Sequence, residues 1–137
     1  MAQNTRPTLL VSKPADEITW QDVIQFCELQ KPESAILDYK REFPERLENV
    51  LVAMANTYGG TVIVGVTEDP KTTKPLAPFS GIEFKRGLQD RVQQVVSSHI
   101  RPLLSTQVAV AVNEEETRAF VVIRIDQSPL VCRPADS

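Results

Sequence analysis

The stretch from Leu51 to Val66, LVAMANTYGGTVIVGV, limits what this chain can fold into more than any other. Leu47, Val50, Leu51, Met54 and Ala55 fall at i, i+3, i+4, i+7 and i+8, one face of an amphipathic helix. Pro44 suits the first turn of that helix, where its missing N–H would have no partner anyway. Gly59-Gly60 follows, and glycine is the usual residue for the left-handed end of a helix. Thr61 to Val66 is then an apolar, β-branched run without alternation, the pattern of a strand covered on both faces and hence central in its sheet. Asn56, Thr57, Gly59, Gly60 and Gly65 are therefore expected to shape the turn and the strand and not to do chemistry. Glu68 and Asp69 emerge at the far end of that strand.

The flanking segments supply the remaining elements. Thr19, with an acid three residues later at Asp22, marks a helix start, and Trp20, Val23, Ile24 and Cys27 share one face up to an end near Glu28 to Gln30, before Pro32. From Leu37 the residues alternate: Leu37, Tyr39, Arg41 and Phe43 on one side, Asp38, Lys40 and Glu42 on the other, as in a half-exposed strand with a charged face. Residues 67–81, with Pro70, Pro75, Pro78 and Gly81, predict a surface loop holding at most one very short strand. A further amphipathic helix is expected from about Phe84 to Ile100, with Leu88, Val92, Val95, Val96 and His99 on its apolar face, Gly87 weakening its first turn and Pro102 stopping it. Val108–Val112 and Ala119–Asp126 predict an antiparallel hairpin across the acidic connection Asn113–Thr117. Three helices are too few to cover both faces of an all-parallel sheet, so the expected class is α+β with a mixed sheet. The expected organisation is an arm at 1–15, one domain at 16–130 and a tail at 131–137.

Composition excludes several classes. With 42% hydrophobic and 24% charged residues in 137, the chain is an ordinary globular domain with a real core. No apolar run approaches the roughly 20 residues that span a membrane, and the N-terminus lacks a signal-peptide core, so no membrane partner is expected and the expected compartment is the cytoplasm. Cys27 and Cys132 match no metal spacing and read as reduced thiols. The net charge of −3 argues against indiscriminate phosphate binding without excluding a local basic patch.

Few constellations carry chemistry. Gly59 to Gly65 matches neither a P-loop nor GxGxxG, and its glycines precede a strand, whereas a phosphate loop precedes a helix N-terminus. His99 is the sole histidine and is expected to pack or to cap its helix, which leaves no Ser/His/Asp or Cys/His arrangement. The acidic set is more informative. Glu33 and Asp38 bracket the start of one strand and Glu68 or Asp69 ends the central one. If these strands are antiparallel neighbours, three carboxylates converge, and such a cluster holds a divalent metal that activates water for phosphodiester cleavage. The alternative is a set of solvated acids, with 18 acidic residues in the chain to draw on. Lys40, Arg41, Lys71, Lys74, Lys85 and Arg86 are candidates for a basic strip along phosphates.

Glu33-Ser34-Ala35-Ile36-Leu37-Asp38-Tyr39-Lys40 resembles the E-S-x-x-L-E-F-K opening of the Schlafen AlbA_2 domain, and Ala53 to Val66 resembles that family's A-x-A-N-T-x-G-G core with its hydrophobic strand and G-V. The helix ending in Ile100-Arg101-Pro102 and the strand running to Ser128-Pro129 also fit, so the similarity covers roughly residues 20–130. The resemblance implies an α+β nucleic-acid-binding domain, often a DNA-binding regulatory module beside helix-turn-helix or ATPase regions in bacterial transcription regulators. In animal relatives two such lobes bind structured RNA, and some cut it with an acidic triad; a single lobe here implies a homodimer if a two-lobed cleft is to form. Glu33 and Asp38 match the first two triad positions, with Asp38 one methylene shorter than the family's glutamate. The third falls at Thr67, Glu68 or Asp69, and Glu68 is the choice. Three readings follow: a DNA- or RNA-binding module using Lys40, Arg41 and nearby basic residues; an endoribonuclease using Glu33, Asp38 and Glu68 with Mg²⁺ or Mn²⁺; or a protein-interaction and dimerisation domain. Relatives continue past the point where this chain stops, so it is expected to be a domain of a longer protein.

Overall fold

A computed structural model describes residues 13–101, 105–128 and 131–134. Three helices, α1 (Trp20–Glu28), α2 (Leu47–Ala55) and α3 (Leu88–His99), pack on a mixed sheet of β1 (Leu37–Lys40), β2 (Gly60–Val64), β3 (Ile82–Glu83), β5 (Thr106–Val112) and β6 (Arg118–Ile125), while β4 (Ile100–Arg101) and β7 (Arg133–Pro134) form a small antiparallel ribbon. Strand β6 is the spine. It pairs antiparallel with β5 along one edge, and with β2 and then β3 along the other. β1 runs parallel to β2, Leu37 opposite Thr61 and Lys40 opposite Val64. The architecture is the expected α+β fold. None of the described helices is long and apolar enough to cross a membrane.

Both faces of the sheet are covered, which is why the β2 segment lacks alternation. Val62 and Val64 point into a core shared with Leu51 and Ala55 of α2 and Val92 and Val96 of α3. Ile63 points the other way, into a core with Val23, Phe26 and Cys27 of α1 and Tyr39 of β1. Trp20 and Phe120 rings lie 4.3 Å apart, tying α1 to the spine strand. Both cysteines are buried, and burial pushes the Cys27 thiol up to about 12.

Helix α1 starts where the sequence places it. The Thr19 hydroxyl accepts from the Asp22 amide at 3.1 Å and the Asp22 carboxylate accepts from the Thr19 amide at 2.9 Å, a reciprocal capping box. Although burial works against the charged form, hydrogen bonds from Lys13 and Thr19 hold the Asp22 carboxyl below its ordinary value.

The double glycine is a steric requirement. At Gly60 (φ +149°) a Cβ would stand 2.6 Å from the carbonyl oxygen of Ile36, and at Gly59 (φ +76°) it would stand 2.5 Å from that of Ile125. Asn56 fastens the same turn to the chain end, its amide donating to Cys132 O at 2.9 Å and its oxygen accepting from Cys132 N at 2.7 Å. Thr57 donates to Ala53 O at 2.8 Å, and Gln127 donates to Thr57 O at 2.6 Å. These contacts hold the turn together. Cys132, Arg133 and Pro134 of the tail are accordingly built onto the body of the fold.

Several boundaries differ from the sequence reading. Pro44 lies ahead of α2, which begins at Leu47 with Arg46 at its N-cap and no side-chain cap. The charged strand stops at Lys40, so Arg41 and Phe43 are not its continuation; Phe43 packs against the α2–α3 core instead. Helix α3 begins at Leu88, not Phe84, because Gly87 is left-handed at φ +86°. His99 is exposed in the last turn of α3, not packed. The first twelve residues of the arm, Pro102 and Pro129 lie outside the described residues.

Replacing Gly60 with alanine forces the Cβ against backbone, which cannot swing aside, and strains φ as well. We expect Gly60→Ala to cost more than about 2 kcal/mol by urea unfolding. Gly87→Ala, where nothing lies within 4 Å, should cost about 1 kcal/mol from φ alone.

Candidate metal centre and basic cleft

One carboxylate oxygen each from Glu33, Asp38 and Glu68 lies within 4.8 Å of the others, all three side chains half-buried. The expected antiparallel pairing is not what brings them together, since β1 and β2 are parallel. The actual cause is a returning loop. Past β2 the chain forms a hairpin in which Glu68 bridges Pro75 and Leu76 N donates to Thr67 O at 2.8 Å. This hairpin is pinned to the segment before β1: Gln30 donates to Pro75 O at 2.9 Å, and the Glu33 amide donates to the Thr73 hydroxyl at 3.0 Å. Glu68 is thereby carried back to Asp38. Glu33 is oriented from inside its own turn, where its carboxylate accepts from the Tyr39 amide at 3.0 Å while the Tyr39 hydroxyl donates to Lys31 O at 2.8 Å.

Asp69 has a different task. Its carboxylate accepts from Lys71 N at 2.7 Å and Thr72 N at 3.1 Å, the side-chain-closed turn that aspartate favours at a loop tip. Of the acids at the end of the central strand, Glu68 joins the cluster.

The electrostatics suit a cation. Burial, then a hydrogen bond shared with Glu33, push Asp38 up to about 6, against the opposing pull of Lys40. The Lys40 ammonium stands 3.4 Å from the Asp38 carboxylate. Three carboxylates against one ammonium leave a net negative pocket of hard oxygen donors, the donor set of Mg²⁺, Mn²⁺ or Ca²⁺ and not of thiolate-seeking metals.

The basic candidates divide. Lys40 belongs to the carboxylate cluster. Arg41 and Lys85 line a cleft of about 750 Å³ between the end of β1, the 76–83 segment and the start of α3. Lys71 and Lys74 sit exposed on the hairpin tip, and Lys71, Lys74 and Arg86 are all absent from that lining. Two cleft residues escaped the sequence reading, Arg91 and Arg118. Neither carries a local signal: Arg91 occupies an ordinary solvent position on a helix, and Arg118 opens a strand after an acidic turn. A second, more open groove of about 380 Å³ runs along α2 beside Glu33 and Asp38, walled by Val50 and Met54.

The Asp38 shift has a consequence for stability. A carboxyl raised to about 6 in the folded state contributes stability that is present below about 4 and lost as pH rises through 6. Asp38→Asn should therefore match the wild type near pH 4 and gain on it up to about pH 7, read as the difference in melting temperature. A pH-independent difference would refute this assignment of the strained proton.

The family model described as Schlafen, AlbA_2 matches residues 33–135. None of the curated proteins matches the chain.

Proposed function

The chain belongs to the Schlafen AlbA_2 family, a membership that points to a nucleic-acid-related domain, and from its gathered carboxylates we propose that it is a metal-dependent nuclease acting on RNA. The observation that carries this reading is the approach of Glu33, Asp38 and Glu68 to within 4.8 Å, two of them flanking the start of β1 and the third from the loop after β2. Three half-buried carboxylates repel one another, and a fold keeps such an arrangement at a cost in stability unless a cation or proton offsets it. A divalent cation held by the three would supply a Lewis acid for the phosphoryl oxygens and lower the pKa of a bound water. The chain's own groups would do the rest. Glu33, fixed by the Tyr39 amide, and Glu68, fixed by the hairpin, set the donor positions. Lys40 would balance charge that builds on the phosphoryl group as Asp38 turns to the cation.

A second reading, a DNA- or RNA-binding regulatory module without cleavage, is favoured by one observation: the Lys40 ammonium, 3.4 Å from the Asp38 carboxylate, already offsets part of the cluster's charge. Dimerisation would fit either reading. Ile36 and Tyr58, 53% and 70% exposed, are apolar groups available for it beside the double glycine.

Labelled single-stranded RNA, tRNA and duplex DNA, each incubated with the protein in Mn²⁺ or in EDTA, separate the two. We expect Mn²⁺-dependent cleavage of RNA that Glu33→Gln, Asp38→Asn and Glu68→Gln each reduce about 100-fold or more. Retention of nucleic acid without cleavage would select the binding module. Cleavage that persists in all three variants would remove the cluster from the chemistry. Because Asp38 must lose its proton to bind metal, Mn²⁺ affinity should fall by up to about tenfold per unit below pH 6.

A further inference from the structure

The 750 Å³ cleft has a charge opposite to that of the chain. Its lining includes Arg41, Lys85, Arg91 and Arg118 against Glu42 and Glu83, a local excess of two positive charges in a protein of net charge −3. Two of the cations are anchored. Arg118 donates from Nε to Ser80 O at 3.1 Å and from Nη2 to Gly81 O at 2.7 Å, which occupies two of its five N–H donors and holds the guanidinium at the wall. The Arg91 guanidinium carbon lies 4.4 Å from the centre of the Phe43 ring, a cation–π contact that orders a long side chain which would otherwise sample many rotamers. Arg41 and Lys85 are exposed. Anchored guanidiniums flanked by exposed cations lose little entropy on meeting an anion, and a planar guanidinium matches phosphate oxygens in pairs.

The cleft adjoins the carboxylate cluster along the chain on both sides. Arg41 stands three residues beyond Asp38, and Thr67, in the cleft wall, directly precedes Glu68. We propose that this cleft is a phosphate subsite for a nucleic-acid strand, holding a backbone phosphate that flanks the one presented to Glu33, Asp38 and Glu68. The assignment rests on the nuclease reading for its orientation but not for its test. It replaces the diffuse basic strip expected from sequence with four named cations, adding Arg91 and Arg118 and leaving out Lys71, Lys74 and Arg86. A polynucleotide and a free nucleotide share the phosphate chemistry, and the strand is favoured because Arg41 and Thr67 of the cleft lie beside Asp38 and Glu68 of the cluster in the chain.

The test measures binding of a labelled 12-nucleotide single strand to the full chain in EDTA, where no cleavage intervenes. Arg41→Gln with Lys85→Gln removes two exposed cations whose loss should not disturb folding. We expect at least a tenfold loss of affinity at low salt, and a slope of log K against log salt smaller by about 0.7, the loss of one phosphate contact on a single strand. Arg46→Gln with Arg133→Gln, equal in charge and outside the cleft, should change affinity less than twofold. Equal losses in the two double variants would overturn the subsite in favour of diffuse attraction. Displacement of the strand by a mononucleotide at comparable concentration would overturn the strand assignment. Mn²⁺-dependent cleavage by the wild type with indistinguishable double variants would leave the nuclease standing and the subsite refuted; selective loss in the cleft variant without any cleavage would do the reverse.

Discussion

The structure depends on how closely β1 approaches the start of β2. The Thr61 amide donates to Ile36 O at 2.9 Å, and the backbone of Gly60 presses on the same residue. That contact sets the register in which Leu37 faces Thr61 and Lys40 faces Val64. Register in turn decides which side chains of β1 are buried. Leu37 and Tyr39 go into the α1 core, so Asp38 and Lys40 are delivered together to the opposite side. A slip of one residue would exchange those pairs and place a carboxylate and an ammonium in hydrocarbon. The double glycine thus acts at a distance on the charged site, through strand pairing and with no contact of its own to the carboxylates.

Much of this was legible in the residues, for identifiable reasons. The unbroken apolar run of β2 reports its two-sided burial because each residue reads its own environment. The capping box at Thr19 and the hairpin of β5 and β6 are local as well. Strand direction is not local. Nothing in Leu37–Lys40 records whether its neighbour runs parallel, because the pleat places the same side chains on the same faces either way. The convergence of Glu33, Asp38 and Glu68 was therefore anticipated with the wrong geometry behind it, and the loop that achieves it is held by Gln30, Thr73 and Pro75, whose types carry no such signal. Asp69 and Glu68 are indistinguishable in sequence until the turn amides of Lys71 and Thr72 are seen to claim one of them. Arg91 and Arg118 become companions of Arg41 only through the fold.

The two charged features answer opposite demands. A cluster of like charges is costly to assemble and is held here by backbone groups whose positions the fold sets. The cleft is the inverse, a set of cations ordered by carbonyls and a ring before any anion arrives. Both rely on preorganisation, which transfers the entropy of ordering from the moment of binding to the moment of folding.

The hairpin 67–76 has a place in both. It contributes Glu68 to the carboxylates and Thr67 and Leu76 to the wall of the cleft, and its own bonds across Thr67–Leu76 and Asp69–Lys74 make it a single body. A ligand that restrains one part of that body restrains the rest. Cation and strand would then share one coupling free energy, each tightening the other's hold by the same factor, as thermodynamic reciprocity requires. A ten-residue loop would in this way make metal loading a condition sensed by the strand, with no second conformation of the sheet beneath it.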